Sequence, residues 1–179
     1  LRVRRLLLIG RLDEAERMLS GLDPERLPPA LRTVHELVVA GMAIRQIRTK
    51  AARDALARAE RHAREARIPA LTAEVDSAAV MLNTPAARVM ANGHERLLVL
   101  EEVEAVLRSK ALVVDASRYV VRHAGTVISL ATRPVLFALA RALGEAWPGD
   151  VARDTLIARA FGSTFVDESY RARLRVEVG

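Results

Sequence analysis

At 179 residues the chain is long enough for one large domain or two small ones. With 51% apolar and 28% charged residues it carries material for a packed core, which excludes general disorder. The absence of cysteine excludes a disulfide framework and a thiolate metal site, and the net charge of +6 favours polyanionic partners.

The charge excess is spread along the sequence. Basic and acidic residues number nine and six in 1–48, ten and nine in 49–110, and nine and seven in 111–179. Arginine supplies 26 of the 28 basic residues, a bias that a GC-rich genome also produces, so net charge alone does not point to DNA. No run of 18 apolar residues exists, so no membrane partner is expected. The opening Leu1–Gly10 is basic and then briefly apolar, but it leads straight into a helical pattern and is not read as a signal peptide. The chain lacks an initiator Met and stops in mid-pattern, which reads as a fragment of a soluble cytoplasmic protein.

Helical spacing dominates the first half. Ala15, Met18 and Leu19 form one stripe. Leu31, Val34, Val38 and Met42, continued by Ala43 or Ile44, form the next. Ala52, Leu56, Ala59, Ala63 and Ala66 form a third. Breaks fall at Gly10, at Asp23-Pro24 through Pro28-Pro29, at Ile68-Pro69 and at Asn83-Thr-Pro85. These signals predict helices of roughly 9 to 18 residues with short connections. Glu95–Leu100 and the helix-like Glu101–Arg108 read as a junction, with Glu101, Glu102 and Glu104 complementing the dipole of their own helix.

Beyond residue 110 both material and period change. All six aromatic residues lie after residue 118. Residues 111–115, 117–122 and 125–130 are short β-branched runs separated by turn residues, and predict a small antiparallel sheet. Two helices are expected next, from Thr132 and from Ala152, joined by Trp147-Pro148-Gly149-Asp150. The last stretch, Glu168–Gly179, clusters Arg171, Arg173 and Arg175 with no acid between Glu168 and Glu177. Tyr170–Val178 alternates apolar and charged residues, the period of an edge strand, whereas its Arg, Ala and Leu favour helix. Helix is expected here, and a strand would remove the role given to these arginines below. The chain thus divides into a helical domain (1–92), a junction (93–110) and an α+β domain (111–179).

Gly10-Arg-Leu-Asp-Glu-Ala-Glu-Arg-Met-Leu-Ser-Gly-Leu-Asp-Pro24 resembles the second half of a tetratricopeptide repeat, with a weaker echo at Ala52–Ala59. An ordinary helical bundle with Ala-rich seams is the alternative, and either implies an interaction or spacing module. Residues 111–179 resemble the winged-helix effector domain of the OmpR/PhoB class of transcription regulators. The likeness runs through Leu112-Val-Val-Asp115, Tyr119-Val-Val-Arg122, Thr126-Val-Ile-Ser-Leu130, Pro148-Gly149, Val151-Ala-Arg153 and Ala160-Phe161-Gly162. Phe161 stands where that family usually has Trp, the first helix is slightly longer, and the sequence stops before the family's wing.

The resemblance implies a mainly α protein, a helical-repeat or bundle domain followed by a winged helix-turn-helix truncated before its wing. Double-stranded DNA would be the partner. Glu168–Gly179 would be the recognition helix, with Tyr170, Arg171, Arg175 and then Arg173 facing the major groove. Leu174 and Val178 would face the core. Thr132 and Arg153, at the starts of the first two helices, would contact phosphates. A protein partner or signal is expected at the helical domain, and a homodimer is compatible with this layout.

No catalytic, cofactor or metal site is expected. The four histidines (His35, His62, His94, His123) are far apart, and no phosphate-loop, dinucleotide or nucleophile-elbow pattern occurs. A DNA-binding regulator is therefore the first reading. A protein-interaction adaptor, whose winged helix is a scaffold without DNA binding, is the second, and an enzyme has no residues to stand on.

Overall fold

A computed structural model describes residues 2–162 and 167–179. The protein is mainly helical with two small sheets, and its chain divides into two compact units. One comprises Leu1–Ala87 with Val99–Glu104, the other Arg88–Leu98 with Ala105–Gly179.

The first unit is built from α1 (Arg2–Leu8), α2 (Leu12–Ser20), α3 (Pro29–Arg45), α4 (Thr49–Ala66) and α5 (Pro69–Asn83), together with the first turn of α6 (Leu100–Arg108). Proline at the first position starts α3 and α5, where its missing N–H has no intrahelical partner to lose. Arg32 stitches the short 3₁₀ turn at Pro24–Arg26 to α3, donating to the carbonyls of Leu27 (2.8 Å) and Glu25 (2.7 Å). α3 and α4 meet along Ala40, Ala43, Ala52 and Ala55, with Leu56, Leu82 and Leu100 completing the cluster. Alanine on both sides of a seam lets two helix backbones approach closely, and the fit leaves Ala52, Ala55 and Ala59 with no exposure. Two further clusters extend it, Ala59–Ala63–Val75 and Leu7–Ala15–Val38–Met42.

Two features of this unit depart from expectation. The α3–α4 break at Gln46–Arg48 carries neither Gly nor Pro; Ile47 takes a left-handed conformation (φ 55°) while packing against the α3–α4 core. That geometry costs a residue with a Cβ roughly 1–2 kcal/mol, which burial of the side chain offsets. The acidic run of α6 also serves two helices. Glu102 accepts from the Val99 N–H (3.0 Å) at its own helix start, but Glu104 accepts from the Thr49 N–H (2.8 Å) and Glu101 pairs with Arg53. Glu104 thus caps α4 rather than α6, and Glu101 ties the two helices by an ion pair.

In the second unit, β1 (Ala87–Ala91) and β2 (His94–Leu98) pair across Asn92 (φ 51°) and Gly93 (φ 73°), where helix and junction were expected. Asn-Gly supplies the two positive φ values of a type I′ turn, which matches strand twist and closes a hairpin. β3 (Val113–Asp115), β4 (Val120–His123) and β5 (Thr126–Ser129) then form the expected antiparallel sheet, with Val114 opposite Val121 and Val121 opposite Ile128. Three helices follow: α7 (Pro134–Ala146), α8 (Arg153–Phe161) and α9 (Glu168–Val178). α7 lies against the sheet through Gly144, where a Cβ would sit 3.6 Å from Val114, and Phe137 packs at a tilt against Tyr119, just before β4, with ring centroids 4.9 Å apart. α8 joins α7 by burying Ile157 completely and through Glu145, which pairs with both Arg141 and Arg159 at 2.7 Å.

Candidate nucleic-acid interface

The α8–α9 pair brings most of the expected site residues together. α8 ends at Gly162, whose left-handed backbone (φ 65°) returns its N–H to the Ala158 carbonyl. α9 begins at Asp167, whose carboxylate accepts from the Ser169 hydroxyl (2.6 Å), the Ser169 N–H (3.0 Å) and the Tyr170 N–H (3.1 Å). The Ser169 hydroxyl bond first, and then the backbone N–H of Tyr170, hold this carboxyl below its usual range. Despite its alternating sequence, the stretch is an 11-residue helix. An acidic cap and the helix-forming Arg, Ala and Leu outweigh the strand-like period.

Winding an alternating sequence into a helix scatters its charges. At about 100° per residue, Arg173 and Arg175 stand about 160° apart, while Arg171 and Arg175 are near neighbours. Arg175 pairs with Glu168 at 2.9 Å, and Arg171 lies 3.5 Å from Asp154 of α8 and 3.6 Å from Glu168. Arg173 instead lies over the Phe161 ring, its guanidinium carbon 5.0 Å from the centroid. Tyr170 also packs at a tilt against Phe161, with ring centroids 5.7 Å apart, and is half-buried. It buttresses α9 on α8 and does not stand on the open face with the arginines.

The inner face of α9 consists of Tyr170, Leu174 and the half-buried Glu177; Val178 is 68% exposed and faces no core, contrary to expectation. Sequence period alone put Val178 one turn after Leu174, but the helix ends there and nothing packs over it. The open face is Ser169, Ala172 and Val176, the last 81% exposed. None of these three was singled out from sequence, nor was Asp154. The capping signal Asp167-Glu-Ser, which fixes the helical phase, could have found the crest.

Arg153 is the exposed first residue of α8. Thr132 is exposed but lies outside α7, which starts two residues later because Pro134 occupies its first position. Neither residue lies on α9 with the arginine cluster; Arg153 sits on α8, and both belong to the second unit. The stretch before Asp167, residues 163–166, lies outside the described residues.

Division by units changes the reading of charge. The second unit holds thirteen Lys and Arg against eight Asp and Glu, a net +5, whereas the first holds fifteen against fourteen. Nearly all the basic excess therefore belongs to the unit that carries α9. The ion pairs of α9 are exposed, a setting in which such pairs contribute about 0–1 kcal/mol, so a phosphate can displace the carboxylates from Arg171 and Arg175.

Among the described residues no group of three His, Cys, Asp or Glu is placed to hold a metal ion, and no helix is long and apolar enough to cross a membrane. Compared with protein-family models, curated proteins and solved structures, the chain has no match.

Proposed function

We propose that this chain is a sequence-specific, DNA-binding transcriptional regulator of the cytoplasm. In this reading the second unit is a winged helix-turn-helix of the OmpR/PhoB class, and the helical unit is a degenerate tetratricopeptide-like module that receives a signal or protein partner. A homodimer fits the same reading, and the chain binds rather than catalyses. The observation that carries it is α9, an arginine-bearing capped helix that rests on α8 by one face and leaves the other open.

The small residues Ser169 and Ala172 let α9 approach the floor of the major groove, where Val176 meets thymine methyl groups. Arg173 and Arg175 flank that crest on opposite sides and reach guanine edges or the two bordering phosphate strands. Arg171 exchanges Asp154 and Glu168 for a phosphate. Arg153 contributes at the N-terminus of α8, where backbone dipoles favour an anion, and Thr132 contacts the backbone beside α7. Tyr170 holds the helix at its angle through Phe161.

Selection from a pool of random-sequence duplexes, followed by titration at about 50 and about 150 mM salt, tests this. Three arginines on phosphate imply a logarithmic slope of about −2.7, roughly a 20-fold loss of affinity over that range. Enrichment of no duplex would contradict the reading. It would favour the alternative, an interaction adaptor with a scaffold winged helix. One observation supports that alternative: five arginines face four carboxylates across 153–179, and three of the five, Arg159, Arg171 and Arg175, already have carboxylate partners in the chain.

A further inference from the structure

An open groove of about 520 Å³ runs between α1 and α2 in the helical unit. Its floor is apolar, formed by Leu6, Ile9 and Met18, and Ile9 is 57% exposed. The rim is cationic. Arg11 is answered by Glu14, the single carboxylate lining the groove. Arg17 reaches only the carbonyl oxygen of Asp13, and Arg2 and Arg5 have no carboxylate partner among the described residues.

We propose that this groove docks an acidic amphipathic helix of a partner protein. Charge complementarity selects the occupant: three guanidiniums without a carboxylate border an apolar strip, so the matching surface has apolar residues flanked by Glu or Asp. The bordering helices, seven and nine residues long, span roughly 10–14 Å, which accommodates two to three turns of a third helix. Such a ligand presents apolar anchors at i, i+3 or i+4, and i+7. This inference gives a chemical class to the partner assigned above to the helical unit, and its test involves no DNA, so it stands or falls separately from the DNA reading.

The probe is a blocked 14-residue peptide with Leu at i, i+3, i+4 and i+7 and Glu on both flanks, its binding to the chain followed by fluorescence anisotropy. Saturable binding is expected, weakened at least tenfold by Arg5→Glu with Arg17→Glu and abolished when Lys replaces Glu in the peptide. Met18→Asp, an exposed position in the floor, should weaken it comparably, with circular dichroism confirming that each variant keeps its helices. Equal binding of a scrambled peptide of the same composition would reveal an anion site without a helical occupant and overturn the proposal. So would binding that ignores both variants, or no binding at about 1 mM peptide.

Discussion

The α3–α4 seam and the α8–α9 pair are both helix pairs, but they are closed by different side chains. The first is sealed by Ala40, Ala43, Ala52 and Ala55, leaving nothing for a ligand to enter. The second is held by the Phe161 ring, which meets Tyr170 and carries Arg173 over it, and by the exposed Arg171–Asp154 ion pair. A seam of alanines gives rigidity and a fixed helix spacing. A looser pair leaves Ser169, Ala172 and Val176 uncovered and arginines with displaceable partners, which is what a binding helix requires. The charge division follows the same line, with the second unit at +5 and the first near balance.

This contrast can be broken from either side. The largest effect is expected at Ile157, the fully buried residue of α8. Ile157→Ala should destabilise the second unit by about 2–5 kcal/mol in chemical denaturation. Amide protection in α3 and α4 should remain, because their core lies in the other unit. Ala55→Leu tests the opposite arm. With no space at this position, the added bulk should cost the helical unit about 1–3 kcal/mol and leave α9 intact, again read by hydrogen exchange.

A smaller effect is expected where α6 meets α4. Glu104→Ala leaves the Thr49 N–H without its acceptor and should cost about 1–2 kcal/mol, visible as faster exchange across the first turn of α4. The smallest is a pH effect on the second unit. The Arg141 hydrogen bond first, and also that of Arg159, hold the Glu145 carboxyl below its usual range against the opposing pull of burial. A depressed carboxyl stabilises the fold above its unfolded value of about 4.3, and that contribution is lost as pH falls through the lower folded value. Glu145→Gln should therefore flatten the acid limb of the second unit's stability profile.

Sequence made the helical unit legible wherever Pro or Gly punctuated it, as at Pro29 and Pro69, because those residues act locally. The break at Ile47 was invisible, since a β-branched residue adopts that backbone only when tertiary packing holds it there. The Asn92-Gly93 hairpin was legible in principle, but its short flanking runs were divided between the helical domain and the junction. The three-stranded sheet and the two helices after it follow the expected order, apart from the two-residue shift that Pro134 imposes on α7. In the candidate site, the arginines stood out by composition, but their faces did not. Alternation at period two conceals helical phase, so Tyr170 was placed on the groove side though it packs on Phe161, while Val178 keeps the side of Leu174 but lies at the helix end, where nothing covers it. The cap at Asp167 fixes that phase.

The central claim is that the α9 arginines meet nucleic acid. It is tested most directly by titrating a selected duplex with the chain and with its Arg171→Ala, Arg173→Ala, Arg175→Ala triple variant across a range of salt. Much weaker binding by the variant and a logarithmic salt slope shallower by about 2.7 are expected. Equal affinity and an unchanged slope would contradict it.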